Sequence, residues 1–421
     1  MNKIISIILA AGEGTRMKSD LPKVLHPICG KPMIGYSVDT IRSIGIKDIV
    51  VVVGYKAREV QAALPGLECA IQKEMLGTGD AVLSAKKLVF KNKDIESVLV
   101  SYGDTPLLTK EILEKIIDKH LSRNADCTLL TCCLKNPTGY GRILRSGDNK
   151  IVKIVEELDA EIYDKVKEEV NVGVYCFKKD VLFDALSKIK PFNKKQEYYL
   201  TDVIEILSRS SCIIESVSTD NEEEFLGINT RKDLIKAGQI VKDRIESRLM
   251  EGGVTIIDPS NTYIEEGVEI KKDTIIYPYT FIESGVKIAE GCKIGPSARL
   301  RSGTIVDKNV KIGNFAELVR TRVGSNTKIS HQCYLGDTVI GKSVNIGAGT
   351  IVANYDGNHK YKTVIDDFAF IGSGSILVAP VKIGKGATTG AGSVITKNKN
   401  VPAGKTVVGI PAKILKKNKN K

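Results

Sequence analysis

Residues 287–312 read KIAEGCKIGPSARLRSGTIVDKNVKI, and within them Ile288, Ile294, Leu300, Val306 and Ile312 fall six positions apart. The beat begins at Ile264, passes Ile270, Ile276 and Ile282, and runs on to Leu318. After a one-residue slip it resumes at Val323 and Ile329. A twelve-residue interruption, Ala353 to Val364, then precedes Ile365, Ile371, Leu377, Ile383, Thr389, Ile395, Val401 and Val407. Neither the 3.6-residue helix period nor the two-residue strand period fits a six-residue beat. A parallel β-helix of hexapeptide repeats does, because one aliphatic side chain per short strand points inward and is covered by the next coil. Ile-Gly and Val-Gly pairs at 294–295, 312–313, 323–324, 340–341, 346–347, 371–372 and 383–384 are expected to form tight corners. The interruption is expected to protrude as a loop, and solenoid insertions collect on one face.

Outward from that ladder the chain looks different. Over residues 1–229, apolar strands alternate with helical stretches, the pattern of an α/β sheet. The spacing predicts strands at Ile4–Leu9, Asp48–Val53, Ser97–Ser101, Cys127–Cys132 and Val172–Phe177, with helices at Met33–Ile44, Gly79–Val89 and Lys110–Ser122. Residues 230–250 read as one amphipathic linker helix, N-capped by Thr230 and ended by Gly252-Gly253. The predicted organisation is therefore an α/β domain over 1–229, a linker helix over 230–250, and a β-helix over 251–421.

Composition narrows the class. At 421 residues, 42% hydrophobic and 27% charged, this is an ordinary globular chain. The first apolar run, Ile4 to Ala11, passes straight into Gly12-Glu13-Gly14-Thr15-Arg16 without a cleavage pattern, so it reads as a buried strand; no segment has the length of a membrane span. Nine scattered cysteines, an odd number without a CxxC pair, indicate reduced thiols and a cytoplasmic location. The net charge of +12 is partly the tail Lys416-Lys417-Asn418-Lys419-Asn420-Lys421. With aromatics at 5% and no Trp, the basic excess lacks the stacking residues of a nucleic-acid binder.

The chemistry starts at Leu9-Ala10-Ala11-Gly12-Glu13-Gly14-Thr15-Arg16, just after the first strand. A glycine turn there offers backbone N–H groups to phosphate, and Arg16 and Lys23 add positive charge for a triphosphate. The spacing matches neither G-x-G-x-x-G nor the P-loop.

LAAGEGTRM followed by LPKVLH resembles the signature of sugar-1-phosphate nucleotidylyltransferases. QKEMLGTGDA at 72–81, YGD at 102–104, PTGYGRI at 137–143, EYYLTD at 197–202 and GIN at 227–229 narrow it. With the β-helix, nearly the whole chain is similar to the bifunctional N-acetylglucosamine-1-phosphate uridyltransferase/glucosamine-1-phosphate acetyltransferases. That resemblance implies a Rossmann-like nucleotidyltransferase fold followed by a left-handed β-helix. It implies UTP and N-acetylglucosamine-1-phosphate as substrates of the first half, with Mg²⁺ held by Asp104 and Asn229. It assigns the nucleotide to Leu9, Ala10, Ala11, Gly12, Gly14, Gln72, Gly77 and Thr78, and the sugar phosphate to Gly141, Glu156, Asn171 and Asn229. Asp80 stands where the family usually has His. A sugar-phosphate oxygen attacks the α-phosphorus of UTP and pyrophosphate leaves, so positioning and neutralisation by Arg16 and Lys23 carry this step.

For the second half the resemblance implies acetyl transfer from acetyl-CoA to glucosamine-1-phosphate, in a cleft between β-helices of a homotrimer. His331 is the expected general base, Arg301, Tyr334 and Asn345 would hold the acceptor, and Asn354, Tyr355, Ser373 and Ala391 the acetyl-CoA. Three departures stand out: Val319 replaces a phosphate-gripping Lys, though Arg320 is adjacent; the solenoid start is about one coil short; and the C-terminal end lacks an Arg for CoA. One alternative keeps only uridyl transfer, with the β-helix as a trimerisation domain. Another is a non-catalytic regulatory subunit, against which the retained Arg16, Lys23, Asp104 and Asn229 speak. No nucleic-acid partner and no membrane insertion are expected.

Overall fold

The computed structural model describes residues 3–165 and 167–415, so the basic tail 416–421 lies outside the described residues. Two compact units, Met1–Ile240 and Val241–Lys421, divide within one helix, Arg231–Glu251. That helix opens on a reciprocal cap: Thr230 Oγ1 accepts from the Asp233 N–H at 3.3 Å, and the Asp233 carboxylate accepts from the Thr230 N–H at 2.8 Å.

In the first unit one mixed sheet carries strands β1 (Ile4–Ala10), β2 (Ile49–Val53), β3 (Glu68–Ile71), β4 (Ser97–Tyr102), β5 (Cys127–Cys133), β6 (Arg142–Arg145), β7 (Ile151–Val155), β8 (Glu169–Lys178) and β9 (Ile214–Thr219). The main order is β9-β5-β8-β4-β1-β2-β3, with the β6–β7 hairpin leaving from β8. Helices cover both faces, so successive residues of β1 feed two cores: Ile5, Ile7 and Leu9 one, Ile4, Ile8 and Ala10 the other. Chain order runs β1 to β2 to β3 one way, then returns to β4 on the far side of β1. The carboxyl ends of β1 and β4 therefore flank the point where strand order reverses, the crevice in which such sheets bind ligands. The stretch expected as one helix over Gly79–Val89 is two, Thr78–Ser84 and Lys86–Val89, broken at Ala85.

The second unit is a parallel, left-handed β-helix, and every aliphatic residue of the six-residue ladder is buried. Ile276, Ile294 and Ile312 stack at 18-residue intervals. Ile312, Ile329 and Ile346 stack at 17, which is where the one-residue slips fall. Ile346 pairs with Ile371 at 25, so the insertion exceeds a regular coil by seven residues rather than twelve. Ala353 and Thr363–Ile365 remain in strands; only the residues between them leave the stack.

Two details were not anticipated. A second buried column of small residues runs two positions before the aliphatic one: Ala298, Thr304, Val310, Ala316, Thr321, Thr327 and Cys333. In this stretch its hydroxyls are satisfied on backbone carbonyls, as in Thr321 Oγ1 to Leu335 O at 2.8 Å and Thr327 Oγ1 to Gly341 O at 2.8 Å, whereas Thr280, Thr363 and Ser393 at the same position of other coils bury a hydroxyl without a partner. The Ile-Gly glycines, moreover, are needed for closeness rather than for a turn conformation. Of the seven, only Gly295 has positive φ. A Cβ on Gly313 would lie 1.9 Å from Ser330 O, and one on Gly372 2.4 Å from Thr389 O, because the next coil's backbone passes directly against them.

Candidate functional site

At the end of β1 the chain enters a short 3₁₀ turn, Thr15–Met17, preceded by Gly14 at φ 68°; a Cβ there would strike Lys23 Cβ at 2.6 Å. Gly14 thus lets the glycine turn lie against Lys23. The Lys23 ammonium forms an ion pair with Asp104, just beyond β4, and lies 3.3 Å from Asn229 Oδ1. Arg16 donates to the same Asn229 oxygen at 2.8 Å. Asp104 and Asn229 are held side by side because Asp104 O accepts from the Ile228 N–H at 3.0 Å. Two cations and two oxygen-bearing side chains, drawn from three distant segments, therefore meet at one point. Asp104 and Asn229 oxygens already converge on a cationic nitrogen, and a hard divalent ion asks for that donor type. Among the described residues no cluster of three His, Cys, Asp or Glu could hold a metal unaided, so further oxygens would have to come from a bound substrate.

Beside this cluster opens a cavity of about 290 Å³ lined by Leu9, Ala10, Ala11, Gly12, Lys23, Gln72, Gly77, Thr78 and Asp104. Tyr102, Met75 and Glu197 also line it; each lies in a motif quoted above, but none was singled out as a site residue. Gly77 is placed by necessity, since at φ 115° a Cβ would meet Tyr198 O at 2.6 Å. Thr78 Oγ1 accepts from the Leu200 N–H at 2.9 Å, tying this loop to the EYYLTD motif.

Gly141, Glu156 and Asn171 come together outside the lining of this cavity. The Asn171 N–H donates to Gly141 O at 2.8 Å, and a Cβ on Gly141 would approach the Glu156 carboxyl at 3.6 Å. Asn171 sits where β8 breaks register with β5, between Asn171 and Tyr175, and the break turns its side chain to Tyr175 Oη at 2.7 Å. Burial raises the Glu156 carboxyl above its usual range, and Thr201 Oγ1 donates to it at 2.9 Å. Burial, with the charges of Glu156 and Asp104, pushes the Tyr102 phenol up, leaving it a neutral donor.

The β-helix residues are arranged differently. His331 is exposed, and its Nδ1 lies 3.0 Å from Oδ1 of Asn314, its partner on the preceding coil. In the tautomer in which the Asn314 oxygen accepts from Nδ1–H, Nε2 is left with its lone pair. Sequence reasoning missed Asn314; its place 17 residues before His331 is visible only once the slipped coil length is known. Arg301 bonds Glu317 at 3.1 Å, and Glu317 pairs with Tyr334 on the next coil. Asn345 lies on another face, paired with Lys328 and Phe370. Asn354 is buried and donates to Asp337 Oδ2 at 2.6 Å, while Tyr355 closes the inserted loop through Gly357 O. Ser373 and Ala391 are exposed on successive coils, joined through Gly392 N to Ser373 O at 2.8 Å. A single chain does not gather Arg301, Tyr334 and Asn345 onto one face.

Val319 is 3% exposed, and Arg320 is held bidentately by Asp337 at 2.6 and 2.8 Å. Strand alternation, which would send Arg320 to the face opposite Val319, does not apply: Arg320 has φ 47° and sits on a corner.

Comparison with known proteins agrees with both units. Residues 6–148 match the MobA-like NTP transferase domain family, and residues 362–397 match the bacterial transferase hexapeptide (six repeats) family. The chain is 45% identical over 426 residues to the bifunctional protein GlmU of Carboxydothermus hydrogenoformans, covering 93% of this chain and 95% of that one. It is 41% identical to the GlmU of Geobacillus thermodenitrificans, over 99% of this chain and 98% of the relative. Against the Bacillus subtilis GlmU the identity is 41%, with 94% of each chain covered.

Proposed function

The chain belongs to the family of bifunctional GlmU proteins, and from that premise we propose how its two units divide the work. The α/β unit transfers a uridylyl group from UTP to N-acetylglucosamine-1-phosphate and releases pyrophosphate. The β-helix transfers acetyl from acetyl-CoA to glucosamine-1-phosphate. The observation that carries the first assignment is the meeting of Lys23, Arg16, Asp104 and Asn229 beside the 290 Å³ cavity. Lys23 and Arg16 are placed to hold triphosphate oxygens, the glycine turn adds backbone N–H groups, and Gly141, Glu156 and Asn171 orient the sugar phosphate for in-line attack. Asp104 and Asn229 would hold Mg²⁺, which when bound supplies charge neutralisation on the triphosphate.

On the β-helix, His331 accepts a proton from the sugar ammonium at Nε2, the nitrogen left free by the Asn314 bond, and the amine then attacks the thioester. Arg301, Tyr334 and Asn345 hold the acceptor, and Asn354, Tyr355, Ser373 and Ala391 the acetyl-CoA. Because Asn345 is on another face from Arg301 and Tyr334, the acceptor site is completed by a neighbouring chain, and a homotrimer is the assembly we assign. Exposed Phe315, Ile351 and Phe370 on the outside of the stack support that packing. A uridyl-only reading draws its support from buried Val319 and from Arg320, engaged by Asp337. No helix among the described residues is long and apolar enough to cross a membrane, and all nine cysteines are free; with these we place the enzyme in the cytoplasm.

One screen tests both activities. Four nucleoside triphosphates are offered with glucose-, glucosamine- and N-acetylglucosamine-1-phosphate, with and without acetyl-CoA, following pyrophosphate and thiol release. UTP with N-acetylglucosamine-1-phosphate should give pyrophosphate, and glucosamine-1-phosphate should release thiol. Pyrophosphate without any thiol selects the uridyl-only reading, and a sedimentation coefficient of a monomer removes the shared site.

A further inference from the structure

We infer that Asp80 determines nucleobase specificity by locking the Gln72 side chain so that it offers the cavity only its oxygen. The inference rests on the uridylyl transfer proposed above, with the cavity lined by Gln72, Gly77 and Thr78 receiving the base of the nucleotide.

Gln72 is 5% exposed and lines the cavity. Its Nε2 donates to Gly77 O at 3.0 Å and to Asp80 Oδ2 at 2.8 Å. A primary amide has two hydrogens, and both are spent on these contacts. The two partners, a peptide carbonyl and a carboxylate, only accept. Turning the amide over would lose both bonds and set Oε1 against two other oxygens, so the orientation follows from the partners. The bond to Asp80 is charge-assisted and so the stronger of the two. Oε1 is left as a pure acceptor.

A base edge that meets an acceptor must bring a hydrogen to it. Uracil carries one on ring N3. Cytosine has a lone pair at N3, which would confront the Oε1 lone pairs; its hydrogens on that edge are on the exocyclic amine, so it would have to shift in the cavity to satisfy Gln72. The geometry therefore favours uracil over cytosine, and Asp80 is the residue that keeps it so. The competing explanation is structural: Asp80 lies in the first turn of Thr78–Ser84, where a carboxylate stabilises a helix end.

The two explanations separate on the UTP:CTP ratio of kcat/KM, measured by pyrophosphate release with N-acetylglucosamine-1-phosphate. Asp80→Leu keeps the side-chain shape and removes the acceptor; Asp80→Asn keeps one neutral acceptor oxygen. With the positioning role, the ratio falls roughly ten-fold or more in Asp80→Leu and less in Asp80→Asn, since losing one hydrogen bond that fixes a buried group is worth about that factor. A purely structural role lowers both rates together and leaves the ratio alone, which would overturn the inference. Should Asp80→Leu fail to fold by circular dichroism, Asp80→Asn carries the decision by the same criterion. Wild-type enzyme that used CTP as readily as UTP would refute the inference while sparing uridylyl chemistry. An enzyme inert to both would instead remove the functional reading beneath it.

Discussion

In the α/β unit, Arg16 and Asn229 are 213 positions apart in sequence yet share a hydrogen bond, and Lys23 and Asp104 join them beside one cavity. Along the β-helix, the residues assigned to acetyl transfer are, apart from buried Asn354, exposed or half-buried and follow one another coil by coil, on more than one face. A wound sheet brings remote loops to one edge, so its site is complete within a chain. A solenoid offers each coil only its two neighbours, so concavity has to come from its inserted loop or from a second copy. The difference extends to the burial of histidines. The α/β unit buries His26 and His120, whereas both histidines of the β-helix, His331 and His359, are exposed.

His331→Ala should give the largest effect, lowering acetyl transfer about 10²–10⁴-fold by thiol release while uridylyl transfer holds its rate. Loss of both activities together would mean that the two regions do not work separately. Asp104→Asn should remove about 10²–10³-fold from pyrophosphate release, the range found when one electrostatic contact to reacting charge is lost, and leave acetylation untouched. Full uridylyl activity in that variant would sink the proposed cation site.

Acidification should distinguish the units without mutation. Burial and then the charge of Lys178 hold His120 at about 4, below its ordinary 6.5, so the folded α/β unit binds fewer protons than the unfolded chain between those values. Stability fully present above pH 6.5 is lost as pH falls toward 4, by about 3 kcal/mol for this one residue. In the β-helix, Asp337 is held low by Arg320, so its contribution is lost only below the usual carboxylate range. Burial lifts Asp202 to about 6 and raises Glu156, which works the other way over the same interval, so the loss is read locally. Hydrogen exchange at pH 7 and pH 4.5 should loosen the helix Lys110–Ser122 around His120 and spare the β-helix; equal loosening would refute the distinction. The smallest effect belongs to Gly313→Ala, which must push aside Ser330 O and should cost at least about 1–3 kcal/mol, read as a lower Tm of the β-helix transition. An unchanged Tm would show the stack to be softer than its spacing implies.

The solenoid was legible because its aliphatic residues repeat without ambiguity from Ile264 to Leu318, and a covered column tolerates few other side chains. Its threonine column was not, since Thr304, Thr321 and Thr327 look polar until their hydroxyls are seen to end on carbonyls of the stack. The Ile-Gly pairs were read from glycine's freedom at turns, whereas the decisive contact lies 17 or 18 residues away and leaves no local trace. In the α/β unit the chemistry of Lys23, Asp104 and Asn229 could be read from residue type and strand position. The lock of Asp80 on Gln72 could not, because it depends on side-chain direction across a loop. Asn314 was hidden for a related reason: its partnership with His331 requires the shortened coil.

The parallel register also makes the β-helix a ruler. Adjacent strands are about 4.8 Å apart, so any column on the surface is graduated in that unit. The rung of Ile329, which carries His331, lies two coils from that of Ile371 and three from that of Thr389, the rungs that bear Ser373 and Ala391. An extended acyl donor lying along the stack would meet those marks at roughly 10 and 14 Å from the rung of His331, the proposed base. Such a scale lengthens or shortens only by a whole coil, so drift in loop sequence leaves the measured reach of the donor arm unchanged.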